Sequence, residues 1–162
     1  MQQVIFIVLS LITLGAAVMV VASRALFRSA LWLILAFLGI AAIFVMLNAE
    51  FLAVVQVLVY IGAISTLIIF AIMLSRSVMD PAEPRFNEQW GVVGGFAALL
   101  FVVLAAISIR VHWPVAVDVV PPDAIERLGE AFVGPYVVPF EVASVLLVVA
   151  MIGAIIIARE RE

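Results

Sequence analysis

The sequence predicts an all-α polytopic membrane protein with five transmembrane helices, and three observations lead there. Of the 162 residues, 68% are hydrophobic and only 12% charged, and the mean hydropathy of +1.39 is far above that of a soluble domain. The apolar residues gather into five long blocks without the 3.6-residue stripe of a surface helix. Each block can cross a bilayer, which takes roughly 20 residues at 1.5 Å each.

The first block, Val4 to Ala22, follows a start without basic residues. Its apolar run is too long for a typical cleavable signal, so it is expected as a retained span. The second, Ala30 to Leu47, follows Arg24 and Arg28, and the joint Asn48 to Glu50 then leads into the third, Phe51 to Leu74. The fourth, Gly91 to Ile109, follows Arg76 and Arg85 and carries a Gly91/Gly95 step with Gly94 and Ala98 beside it. The fifth, Val138 to Ala158, repeats the device with Ala150, Gly153, Ala154 and Ala158. Small residues at this spacing let membrane helices approach closely, so both spans are expected to pack against other helices.

The outer loop, residues 110–137, is the only long joint. Within it PPDAIERLGEAF opens with proline and an acidic residue and spaces Ile125, Leu128 and Phe132 along one helical face. It reads either as a short amphipathic helix on the membrane surface or as a solvated loop. His112 and Trp113 stand where the fourth span ends, a usual place for amphipathic rings; a proton-relay role for His112 is the alternative. Arg24 and Arg28 lie in the first joint, Arg76 and Arg85 in the third and Arg159 and Arg161 in the tail, whereas the second joint has no arginine and in the outer loop Asp118, Asp123, Glu126 and Glu130 outnumber Arg110 and Arg127. By the positive-inside rule the N-terminus faces outward and the C-terminus is cytoplasmic, in a single membrane domain spanning residues 1–162.

Several chemistries are excluded at this level. The chain has no cysteine and one histidine, so it cannot by itself ligate an iron–sulfur cluster through thiolates or a haem through two histidines. No soluble segment is long enough for a dinucleotide-binding βαβ unit. Any redox cofactor belongs to other chains.

The polar residues inside the apolar blocks are the candidates for function. Glu50 begins the third span and Glu141 the fifth; intramembrane carboxylates mark proton or ion pathways, but both lie near a span end. Glu141 also sits in the first turn of its helix, where the dipole favours an anion, so service to the helix start and proton handling both remain open. In the third span Gln56, Tyr60, Ala63 and Leu67 share one face of a regular helix at about 100° per residue, whereas Gly62, Ser65 and Thr66 point well away from it. Two readings follow. Gln56 and Tyr60 bond to a neighbouring helix while the small face packs, or a π-turn at Gly62 swings Ser65 toward the side of Tyr60 and gives the helix two registers.

The stretch VQVLVYIGAISTLIIFAIML, Val55 to Leu74, resembles the signature helix of the J-subunit family of bacterial NADH-quinone oxidoreductase, which is chain 6 in the mitochondrial respiratory complex I. IERLGEAFVGPYVVPFEVASVLLVVAMIGAIIIARE, Ile125 to Glu160, looks like the same family's closing segment: a leucine–glycine element, a tyrosine, a Pro-Phe-Glu helix start, then an Ala-x-x-Gly-Ala core. Ser65 and Thr66 depart from the family, in which apolar residues such as methionine and valine are usual there.

The resemblance implies a subunit of the membrane arm of a proton-translocating NADH:quinone oxidoreductase, multi-pass in the bacterial inner (plasma) membrane. It implies no cofactor on this chain, with FMN, iron–sulfur clusters and quinone held elsewhere in the complex. The implied partners are other membrane subunits and the lipid bilayer, with no nucleic acid and no direct NADH contact. It further implies a conformational switch at Tyr60, Gly62 and Ala63, where a π-bulge forms and relaxes during turnover. Gln56, Ser65, Thr66, Glu50 and Glu141 would then make polar or proton contacts. The rival readings are a subunit of a cation/proton antiporter, a purely structural membrane scaffold, and the photosynthetic relative that takes electrons from ferredoxin.

Overall fold

A computed structural model of the chain describes residues 1–75, 89–111, 121 and 123–159. Among them are six helices: α1 (Gln2–Ala22), α2 (Leu26–Met46), α3 (Glu50–Leu74), α4 (Trp90–Arg110), α5 (Ala124–Val133) and α6 (Val137–Ala158). All but α5 are long and apolar enough to cross a membrane, which gives the five spans. The boundaries follow the apolar blocks closely, except that α2 starts at Leu26 and carries Arg28 and Ser29 in its first turn. A helix end needs no apolar side chain, so hydropathy alone places that start too late. Arg76, Arg85, His112, Trp113 and Arg161 lie outside the described residues.

The chain divides into two compact units, Met1–Ala116 and Val117–Glu162. In the first, α2 packs against both α1 and α3. Its core is built from small side chains: Ala16 of α1, Ala30, Ala36, Gly39 and Ala41 of α2, and Ala53 of α3 are buried. Close approach of backbones, with dispersion in place of a hydrophobic drive, is how helices associate in lipid. The tightest point is Gly39. A methyl group there would collide with Thr13 Oγ1 and lie 3.1 Å from the Thr13 Cβ and 3.4 Å from its Cα. The Thr13 hydroxyl donates to the Leu9 carbonyl at 2.7 Å, so its polar atom is satisfied within α1.

The turn from α2 to α3 takes only three residues. Asn48 adopts φ 55°, a left-handed conformation that asparagine tolerates better than most residues. That conformation lets the Ala49 N–H donate to the Phe44 carbonyl (2.9 Å) and the Asn48 N–H to Val45 (3.0 Å), which satisfies the carbonyls at the end of α2. This sharp reversal lays the start of α3 back along α2. By contrast α4 has no buried residue, and nothing lies within 4 Å of a methyl group built on Gly91, Gly94 or Gly95.

The second unit holds α5 and α6. Gly134 closes α5, its N–H donating to the Glu130 carbonyl at 2.8 Å, and a Cβ at Gly134 would stand 3.0 Å from that oxygen. Glycine is therefore suited to the turn. Across it the rings of Phe132 and Phe140 stack with centroids 5.6 Å apart, which fixes the last turn of α5 against the first turn of α6.

Candidate functional site

The third helix is not a regular α-helix. From Gln56 to Ser65 it winds as a π-helix, flanked by α-helical turns Glu50–Val55 and Thr66–Leu74. A regular helix turns about 100° per residue, which would set Gln56 and Ser65 half a turn apart. Closing on the fifth residue instead of the fourth lowers the rotation to about 80°, and over the nine steps between these residues the difference sums to about half a turn. The two side chains then share a face. Both are buried, Gln56 at 7% and Ser65 at 1% exposure, in a helix whose only other buried residue is Ala53.

This corrects the regular-helix expectation that Ser65 points away from the Gln56 face; the π-turn alternative describes the observed winding. The physical reason lies in the hydroxyl and the backbone together. Ser65 Oγ donates to the Tyr60 carbonyl at 2.8 Å, five residues back, whereas serine in an α-helix bonds back three or four. The side chain therefore follows the wider turn of its own backbone. Gly62 sits inside the π segment with room to spare, a Cβ there being 3.5 Å from the Val57 carbonyl, an ordinary contact.

Tyr60 is 42% exposed, and its ring meets Phe37 of α2 edge-on, with centroids 5.4 Å apart and planes at 72°. Phe37 was not singled out by the sequence. An aromatic residue in an apolar span carries no signal until its partner is known. Gly62, Ala63 and Thr66 are exposed on the outside of the unit. The site thus has a buried part, Gln56 and Ser65, an open part formed by Gly62, Ala63 and Thr66, and Tyr60 between them, exposed at one side and against Phe37 of α2 at the other.

Of the two carboxylates, Glu50 belongs to the same unit as this constellation and Glu141 to the other. Glu50 is exposed at the start of α3. Glu141 is exposed on α6 and lines a shallow groove of about 330 Å³ with Val138, Val142, Val145 and Leu146. Among the described residues no three histidine, cysteine, aspartate or glutamate side chains gather where they could hold a metal. With no cysteine anywhere in the chain, its donor set does not fit an iron–sulfur cluster.

Comparison with known proteins adds a family. Residues 16–157 match the family described as NADH-ubiquinone/plastoquinone oxidoreductase chain 6. Subunit J of the F(420)H(2) dehydrogenase of Methanosarcina mazei is 35% identical, with 98% of this chain and 92% of that protein aligned. Chain 6 of an NAD(P)H-quinone oxidoreductase from Synechocystis sp. is 37% identical, over 98% of this chain and 81% of the relative. A chloroplastic subunit 6 from Cryptomeria japonica is 35% identical over 95% and 90%.

Proposed function

The chain belongs to the NADH-ubiquinone/plastoquinone oxidoreductase chain 6 family, and on that premise we propose that it couples quinone reduction in its complex to proton transfer through the register of α3. The observation that carries this reading is the π-helical stretch Gln56–Ser65, which turns two polar side chains onto one buried face of an otherwise apolar span. A return to the α register would carry Ser65 about half a turn away from α2 and rotate everything beyond it. Tyr60, Gly62 and Ala63 form the switch, and Gln56, Ser65 and Thr66 supply its polar contacts. Glu50 and Glu141 serve proton contacts at the span ends.

In this reading the chain carries no redox centre. FMN, iron–sulfur clusters and quinone sit on or between other subunits, and neighbouring membrane subunits are its partners. The N-terminus faces outward and the tail lies in the cytoplasm, in a bacterial inner membrane. The electron donor is set by other chains. That view is supported by relatives of nearly equal identity whose names cite F(420)H(2) in one case and NAD(P)H in the other.

The test is Gly62→Val in the assembled complex, with Gly62→Ala as its control. Alanine fits the present winding, whereas valine adds β-branched bulk at the pivot. Quinone reduction coupled to proton transfer should fall in the valine variant and persist in the alanine one, with assembly intact in both. Full coupled activity in Gly62→Val would remove the pivot from the mechanism.

A further inference from the structure

We propose that α5 is docked on the lipid surface, lying along the bilayer interface at the point where α6 enters, with Ile125, Leu128 and Phe132 turned into the membrane. The depth of α5 is fixed by covalent and packing geometry together. Helix α6 has 22 residues, about 33 Å of length for a hydrocarbon core of roughly 30 Å, so its first turn stands at the membrane boundary. Only Gly134, Pro135 and Tyr136 separate that turn from the end of α5. The Phe132 ring stacks, at 5.6 Å between centroids, on Phe140, a residue about 4.5 Å along α6 from its start. The end of α5 is therefore held within a few ångströms of the membrane boundary.

The faces of α5 agree with that depth. At about 100° per residue Ile125, Leu128 and Phe132 lie together, while Asp123, Glu126, Arg127 and Glu130 occupy the opposite side. The apolar side is not covered within its unit: Ile125 is 63% exposed, and Phe132 stays 37% exposed despite its stack. On the polar side Arg127 Nε and Asp123 Oδ2 pair at 2.9 Å, with both side chains open to solvent. A helix with one apolar and one charged face, held at interfacial depth, buries its apolar face about 5–10 Å into the headgroup boundary. Three carboxylates against one arginine make the outward face anionic. Apolar insertion therefore drives docking, without help from anionic lipid.

The absence of cysteine makes the test direct. Ile125→Cys, Leu128→Cys and Glu126→Cys, each carrying a nitroxide, are placed in the full chain in phosphatidylcholine vesicles, and collision with oxygen is compared with collision with a water-soluble nickel chelate. Labels at Ile125 and Leu128 should favour oxygen and report the interfacial depth, while the label at Glu126 should favour the chelate. Equal chelate access at all three positions would mean a solvated helix and overturn the proposal. In the assembled complex a benzophenone side chain at Ile125 should give lipid adducts; an adduct to a neighbouring subunit or to this chain would assign the face to protein and overturn it as well. Neither arm reads quinone reduction, so failure here is distinct from failure of the coupling mechanism.

Discussion

Replacing Ser65 with leucine should expel α3 from its π register. In that register Ser65 is 1% exposed against its own unit, so the extra carbons have no space, and overpacking of this kind costs about 1–3 kcal/mol. The bond to the Tyr60 carbonyl is lost too, worth about 0.6 kcal/mol inside a membrane. In the α register the same leucine would point about half a turn away, toward lipid, and neither penalty applies. Both registers are helical, so the higher helix propensity of leucine over serine is common to them. A bias of about 1.6–3.6 kcal/mol shifts the balance of registers by about fifteen- to four-hundredfold. The segment beyond the π stretch then rotates by about 100° or more and moves a side chain on its surface by about 8–12 Å. Nitroxides at Phe70→Cys on α3 and Leu31→Cys on α2 report that movement by double electron–electron resonance. Ser65→Ala, which loses only the hydroxyl, should shift the balance by no more than about threefold. An unchanged distance distribution in Ser65→Leu would refute the link between Ser65 burial and the π winding.

Two further outcomes follow from the packing. Gly39→Ala should destabilise the α1/α2 pair by about 1–3 kcal/mol, because its Cβ meets Thr13 within contact distance, and Thr13→Gly in the same chain should recover most of the loss in detergent-unfolding measurements. Arg127→Ala should change stability by less than about 1 kcal/mol, and the difference should vanish in high salt, since the pair with Asp123 is solvent-exposed on a helix surface.

The spans were legible because burial in lipid demands long unbroken apolar runs, and the turn at Asn48 agrees with the short joint between the second and third blocks. The winding of α3 was legible only as an alternative. Face assignments rest on a fixed rotation per residue, and a π segment breaks that assumption where Gln56 and Ser65 are compared. Within this chain nothing lies within 4 Å of a methyl group at Gly91 or Gly95, and the close crossing of its own helices falls at Gly39 and Thr13. Threonine does not read as small, but Ala36 and Gly39, three apart in α2, were the signal that could have found it. The Phe132 and Phe140 stack spans a turn whose geometry sequence spacing does not give.

The most direct measurement is to tag this chain, solubilise its membranes in mild detergent and assay the purified material for flavin, iron–sulfur EPR signals and inhibitor-sensitive quinone reduction. The chain has no cysteine with which to ligate such clusters, so those signals must come from partner subunits. Membership in a quinone-reducing complex predicts all three in one assembly. An intact assembly that lacks all three and carries its own cation transport would contradict it.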